Sequence, residues 1–436
     1  MRPPANRFPD EPGTASVGSP GVYGNMPGME SSERAGLVLR PFHGVRYAVA
    51  DVAAVTSPPY DLISPGDAQT LLDVHPNNVV RLILPGADHY ADAHLLLEEW
   101  LTAGVLVTDP DPALYVYEQS GIGVLQRGLI GVVGVDSDAV LPHENVMPGP
   151  VADRLALMRS TEANLEPIFL LYAGGGPASR LVDEVAAGRE PLMDVAGRDG
   201  VRHRLWAVTD TAEITAVAAD LAQRQALIAD GHHRFATYQA LRAERATPGP
   251  WDCGLALLVD STAYPPDLKA IHRVIPGLPL EEAAARAKGA WRVHEFGSLE
   301  DALAGLASAS GPAFVLAGEG NSHLLTDPDP MQVEHAMHGE RSARWRALGT
   351  SILNEFLLPK VWGIEDDERT VLIVHHDVDA AVRLARQHQG TAVLLNPLKA
   401  DEVFAVAANG ERVPRKSTSF APKPATGLVL RTFAAG

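Results

Sequence analysis

Ala226-Leu227-Ile228-Ala229-Asp230-Gly231-His232-His233-Arg234-Phe235 sets an apolar run, a glycine break and a cluster of polar side chains in direct succession. The run 226–229 has the length and composition of a buried strand. Asp230-Gly231 ends it, and Phe235 to Glu244 continues with helix formers. A strand, a sharp turn and a helix in this order predict a mixed α/β (α+β) domain. Free N–H groups at the helix start, together with its dipole, favour an anion. Arg234 offers a planar fork for phosphate oxygens. His232 and His233 can donate hydrogen bonds or shuttle protons near neutral pH. Asp230 is expected to hold a metal-bound water, orient a histidine or accept a substrate proton. A capped helix with solvated histidines would use the same residues, but polar groups crowded after a buried strand are costly without a ligand.

On both sides of this segment strand-like and helix-like patterns alternate. Asn78–Leu84 reads as a strand ended by Pro85-Gly86, and Ala91–Thr102 as a helix with Leu95, Leu96, Trp100 and Leu101 on one stripe. Ala113–Glu118 and Gln126–Val135 read as paired strands around a Gly121/Gly123 turn, and Arg202–Val208 and Trp251–Val259 as further strands. Ala212–Gln223, Glu281–Ala290, Leu299–Ala309 and Lys399–Ala407 read as helices, and Leu428–Arg431 as a last strand. Residues 1–36 are rich in Pro, Gly, Ser and Glu and are expected to be disordered. The main domain is predicted over 37–277. A smaller α/β segment follows the Pro276-Gly277-Leu278-Pro279 break, over 278–395, and 396–436 returns to the main domain.

The chain has 436 residues, a formal net charge of −18 and 46% apolar residues. That charge argues against a general affinity for nucleic acid or anionic membrane, so neither is expected as a partner. A small phosphate-bearing molecule or nucleotide is the expected partner, and a homo-oligomer is compatible with the sequence. The single cysteine, Cys253, excludes an internal disulfide and a cysteine-based structural zinc site. No long apolar run and no charged-then-apolar N-terminal pattern is present, so a cytoplasmic protein is expected.

Three further segments can carry chemistry. Pro142-His143-Glu144-Asn145 is followed by Asp153-Arg154 and Arg159, with Glu144 as a general base and Arg154 as an anion clamp. Pro58-Pro59-Tyr60-Asp61-Leu62-Ile63-Ser64 presents Tyr60 and Asp61 on a stiffened approach. Arg415-Lys416-Ser417-Thr418, with Lys423 beyond, suits phosphate contact, though it is no Walker A loop. Ile271-His272-Arg273 follows a strand and can join the site. His375-His376 ends an apolar run and reads as structural.

These same segments resemble the DUF1015 family of bacterial and archaeal proteins, from about Leu39 to Leu430. The resemblance rests on 58–64, on Leu141-Pro142-His143-Glu144 with Pro148-Gly149-Pro150 and Ala152-Asp153-Arg154-Leu155, on Ala229–Arg234, on His272-Arg273, and on Lys416-Ser417-Thr418 with Pro422-Lys423 and Thr426–Val429. The chain departs from the family pattern at Val151, where Lys is common, at Ile271, where Thr is common, and at Ser419 and Ala421, where aromatics are common. More distantly, Asp-Gly-His-x-Arg is similar to the phosphate-binding motif of ParB/sulfiredoxin-like domains, and free-serine kinases of that fold carry a similar motif. That resemblance implies a ParB/sulfiredoxin-like core in which Asp230–Arg234 bind nucleotide phosphates.

The leading expectation is a nucleotide-dependent small-molecule kinase or phosphotransferase, acting on an amino-acid-like substrate with ATP, ADP or CTP. Gly231, His232, His233, Arg234, Arg154, Lys416, Ser417 and Thr418 would bind phosphate. Glu144 or Asp61 would be the base, Asp230, His232 and His233 would assist, and Mg²⁺ would sit at Asp230. A metal-dependent hydrolase or phosphatase is the second expectation, with Asp230, His232, His233 and either His143 or His272 as ligands to Zn, Mn or Fe. A nucleotide-binding regulatory module without turnover is the third.

Overall fold

The run Ala226–Asp230 is a fully buried strand of a mixed nine-stranded sheet. The computed structural model describes residues 36–435 except Asp199 and Glu368. All but the last residue of the expected disordered tail, 1–36, therefore lies outside the described residues. From one edge the strands run Val140–Leu141, Ala226–Asp230, Ile168–Tyr172, Cys253–Asp260, Val124–Gly134, Leu114–Gly121, Arg202–Val208 and Met193–Ala196. Leu39–Arg40 pairs with Val124–Gly134 off this path. Two pairings are parallel, Ala226–Asp230 with Val140–Leu141 and Cys253–Asp260 with Ile168–Tyr172. The central strands Ile168–Tyr172 and Cys253–Asp260 are buried throughout, as expected of strands covered on both faces. The expected hairpin is present, with Gly121 facing Val124 across a two-residue turn. Gly123 takes φ 72° there, the left-handed conformation that tight hairpin turns require.

A second sheet has six strands, all antiparallel, in the order Arg292–Phe296, Ser322–Thr326, Phe314–Ala317, Thr391–Leu395, Ile271–Ile275 and Leu372–His375. It therefore begins before the boundary expected near 277. Helices Leu299–Ser308 and Val378–Gln387 cover one face through Ala302, Leu306, Ala381, Val382 and Ala385. Helix Leu280–Ala287 and the π-helical turn Leu353–Trp362 belong to the core cluster shared with the larger sheet.

The C-terminal segment then crosses back. Ser419–Ala421 pairs with Asp267–Lys269, Thr426 bridges Ser57, Leu430 bridges Val45, and Arg431–Thr432 pairs with Ala163–Asn164. The expected strand Leu428–Arg431 is thus mostly isolated bridging. Among the described residues no helix is long and apolar enough to cross a membrane.

Two sequence expectations are corrected. Asn78–Leu84 contains a short helix, Val80–Ile83, instead of a strand. The Asn78 side chain accepts the Val80 amide and donates to the carbonyls of Ala54 and Thr56, which curls the backbone where the apolar run suggests extension. Helix Tyr90–Thr102 buries Ala93, Leu97 and Trp100, while Leu95 is 65% exposed. The stripe at i, i+4 and i+7 is offset from the one expected because Ala93 serves as a core contact.

Candidate functional site

The strand Ala226–Asp230 carries a bulge at its end. Ile228 faces Leu170 and Asp230 faces Phe169, which leaves Ala229 as an extra residue. A bulge bends the strand and re-aims the side chains after it. Gly231 follows at φ 94°, ψ 29°, and helix His232–Glu244 begins with no side-chain cap. A Cβ on Gly231 would lie 2.9 Å from Ile168 Cγ2 and 3.2 Å from Arg234 Nε, so both the dihedral and the space demand glycine. Gly231→Ala is expected to cost about 1–3 kcal/mol. Urea unfolding reads this, and an unchanged midpoint would contradict it.

All six residues from Ala229 to Arg234 line a cavity of about 480 Å³. Tyr60 and Asp61 come to it from a 3₁₀ turn, and Glu144 to Met147 from the segment before helix Pro148–Thr161. His375 enters from the edge strand of the smaller sheet, and Lys416, Thr418 and Lys423 from the returning C-terminal segment. Sequence positions more than 350 apart thus meet in one cleft.

A chain of ion pairs crosses the cavity floor. Lys423 Nζ lies 2.7 Å from Asp61 Oδ2 and 2.5 Å from Asp230 Oδ1. Asp230 Oδ2 takes Arg234 NH2 at 2.5 Å, and Arg234 NH1 donates to the Pro167 carbonyl at 2.6 Å. Arg234 is only 5% exposed. The expectation of a guanidinium fork free to grip phosphate is therefore corrected: both terminal nitrogens serve the protein, and Arg234 anchors Asp230 and the turn from beneath. Asp230, expected as a metal ligand, has each oxygen taken by a cation. Among the described residues no group of three or more His, Cys, Asp or Glu is arranged to hold a metal ion.

The histidines are acceptors. His232 Nε2 accepts the amide of His143 at 3.3 Å, and His233 Nε2 accepts the amide of Met147 at 3.1 Å. A ring nitrogen that accepts an N–H carries no proton, so both rings are neutral with the proton on Nδ1. Burial pushes both pKa values down, helped at His232 by His143 and His233 and at His233 by Lys416. Proton shuttling near neutral pH, expected of these two residues, is thereby corrected to holding the 143–147 loop. His143 is fully buried, with Nε2 2.8 Å from Thr418 Oγ1, and burial pushes its pKa down to about 3.

Glu144 Oε1 accepts the Lys416 amide at 3.0 Å. Burial pushes the Glu144 carboxyl up, and the Lys416 contact offsets only part of that. Burial also pushes Asp61 up, but Lys423 and Arg234 outweigh it and hold the carboxyl below its usual range. Among the described residues the Lys416 ammonium makes no ion pair, although the residue lines the cavity at φ 53°. Ser417 turns away and donates to the Pro414 carbonyl at 2.6 Å. Arg154, expected as an anion clamp, is buried elsewhere: it donates to the Ile83 carbonyl, pairs with Asp153 and stacks 4.5 Å from the Tyr60 ring centroid. It lines a separate cavity of about 30 Å³ behind Arg234. His272 lies in the smaller sheet, where Nδ1 accepts the Leu395 amide.

Glu166 escaped the sequence reading. It is buried, accepts the Tyr60 amide at 3.0 Å and the Thr426 hydroxyl at 3.1 Å, and its carboxyl is pushed up by burial. Its signal would have been a lone acid inside the apolar stretch Leu165–Tyr172.

A family model described as "Protein of unknown function (DUF1015)" matches residues 39–351. A search of curated proteins returns no match. Among solved structures, a free serine kinase in complex with AMP is 15% identical with a TM-score of 0.34, covering 67% of this chain and 87% of its own. A conserved hypothetical protein from Pyrococcus furiosus is 14% identical with a TM-score of 0.34, covering 67% and 90%. C-terminally truncated SbnI from Staphylococcus aureus has the same identity and score, covering 67% and 82%.

Proposed function

Because the chain belongs to the DUF1015 family, whose description assigns no activity, its chemistry must be read from the cavity, and we propose that this cavity is the site of a nucleotide-dependent phosphotransferase acting on the hydroxyl of a small, amino-acid-like molecule. The carrying observation is that an uncapped helix start at Gly231, an ammonium at Lys416 that makes no ion pair among the described residues and a partly buried carboxylate at Glu144 line the same 480 Å³ space. Helix amides and the Lys416 ammonium supply positive potential for phosphate oxygens. A carboxylate with a raised pKa is a better proton acceptor than an ordinary one. The volume falls in the range of small-molecule and cofactor sites.

In this reading the acceptor hydroxyl oxygen attacks the terminal phosphorus of the nucleotide. The new O–P bond forms as the bond from phosphorus to the bridging oxygen breaks, and Glu144 takes the hydroxyl proton. Lys416 and the amides after Gly231 offset charge on the transferring oxygens and on the leaving nucleotide. Mg²⁺ arriving with the nucleotide needs one or two carboxylates, and Asp61, with only Oδ2 on Lys423, would fit that role better than Asp230, whose two oxygens hold Lys423 and Arg234. Such an ion would neutralise phosphate charge. The same proposal takes a ParB/sulfiredoxin-like core over 37–277, completed by 396–436, with 278–395 as a smaller unit.

The test is incubation with ATP, ADP or CTP and a panel of hydroxyl-bearing amino acids, with nucleotide products separated by chromatography. Turnover with one pair is expected. Binding without product would favour a regulatory module, and no binding of any of the three at millimolar concentration would end the reading. Lys416→Ala is expected to weaken ADP binding about 10- to 100-fold, the worth of one charge-assisted hydrogen bond. Calorimetry measures it, and wild-type affinity would remove Lys416 from the site.

A further inference from the structure

Arg273 sits at the centre of strand Ile271–Ile275 in the smaller sheet, facing Ile373 on one neighbour and Val393 on the other. It is 0% exposed. Among the described residues it makes no ion pair with a carboxylate. Its guanidinium binds carbonyls instead: NH1 donates to Ile271 at 2.8 Å, and NH2 donates to Arg415 at 3.1 Å and Lys416 at 2.9 Å. A buried guanidinium with no carboxylate in ion-pair contact among the described residues is expensive, even with Asp366 and Glu144 near enough to favour its charge, so its retention asks for a return elsewhere in the molecule.

The two distal carbonyls identify that return. They belong to the loop that carries Lys416 into the cavity. Lys416 holds φ 53°, a backbone state that costs free energy for a residue with a Cβ and persists only when its surroundings enforce it. Three contacts enforce it. Glu144 Oε1 takes the Lys416 amide from the cavity side, the Ser417 hydroxyl ties back to Pro414, and Arg273 draws the carbonyls of 415 and 416 down into the smaller sheet. Arg415 itself reaches Asp366 at 3.2 Å. A single ammonium, as in lysine, lacks the planar fork needed to span the strand carbonyl and both loop carbonyls. Burial lowers the Arg273 pKa to about 10, which still leaves the group charged at neutral pH beneath the loop.

We infer that Arg273 is the positioning residue of the anion site: it clamps the Arg415–Lys416 carbonyls so that Lys416 faces the cavity, and it thereby couples the smaller sheet to ligand binding. The ligand half of this statement rests on the phosphotransferase reading; the loop half does not.

The test uses the full chain. In Arg273→Lys, hydrogen–deuterium exchange at the Lys416 amide is expected to accelerate at least tenfold, while strand Cys253–Asp260 keeps its protection. ADP affinity, measured by calorimetry, falls at least tenfold. In Arg273→Lys/Lys416→Ala, affinity falls no further than in Lys416→Ala alone, because no ammonium remains to be positioned. A role confined to general stability would give additive losses. Arg273→Met removes the buried charge and is the safer change for folding; it is expected to release the loop in the same way. Wild-type protection at Lys416 in both variants, or additive losses in the double variant, overturns the inference. Should the wild type bind no ADP while exchange at Lys416 still accelerates, the phosphotransferase reading falls and the clamp stands.

Discussion

Glu144→Gln is expected to lower phosphoryl transfer by about 10²- to 10⁴-fold, the usual contribution of a positioned general base, while ADP binding stays close to that of the wild type. Glutamine is isosteric and its carbonyl oxygen can still accept the Lys416 amide, so the loop keeps its shape. What is lost is the capacity to take a proton. The pH dependence gives the same residue a second signature. Burial raises the Glu144 pKa above the ordinary 4.5, with Lys416 offsetting only part of the shift. The base must be ionised to act, so activity is lost as pH falls through that raised value, and the acid limb lies above pH 4.5. A Gln variant with wild-type turnover, or an acid limb at or below that value, would remove Glu144 from the mechanism. Asp61 is the weaker base because Lys423 and Arg234 hold its proton affinity down.

Lys423→Met is expected to destabilise the fold by about 3 kcal/mol. Breaking one side of a buried ion pair costs about 3–5 kcal/mol. The lower figure applies because the Asp61 side chain is 39% exposed and water screens its share. Asp230, with a side chain only 10% exposed, would keep Arg234 alone. The pH dependence has a defined sign. Asp61 titrates below its unfolded value of 3.8, so its contribution is present above that pH and is lost as pH falls through the lower, folded value. Burial opposes the Lys423 charge, yet Asp230 and Asp61 raise its pKa above 10.5. Its contribution is therefore present below pH 10.5 and is lost as pH rises through the raised value. Urea unfolding of both proteins across pH should give a constant gap near neutrality that closes towards both extremes. Equal midpoints at pH 7, or a gap that widens in acid, would contradict the assignment.

Local chemistry made part of this site legible in the sequence. The break at Asp230-Gly231 and the helix after it follow from residue type and order, and the structure places them as expected. The Gly121/Gly123 turn is equally local. What stayed hidden depends on partners distant in the chain. Arg234 looks like a free cation until Pro167 and Asp230 are seen to use its donors. His232 and His233 look like proton carriers until the amides of His143 and Met147 reach their Nε2 atoms. Glu166 lies in an apolar run and gives no sign of the Tyr60 amide or the Thr426 hydroxyl that it accepts. His375, read as structural, lines the cavity because the edge strand of the smaller sheet ends there. Asn78–Leu84 misleads for a related reason: its curl is fixed by side-chain bonds back to residues 54 and 56, which no hydrophobic period encodes.

The return of the C-terminal segment to residues 45, 57 and 163–164 bears on the protein's biogenesis. Both ammonium groups of the cavity, at 416 and 423, are made after all the strands of the two principal sheets. A nascent polypeptide still tethered to the ribosome thus lacks the first lysine until codon 416 has been read and the pair until codon 423. Under the phosphotransferase reading, a phosphate guest that depends on these ammonium groups does not template the early stages of folding.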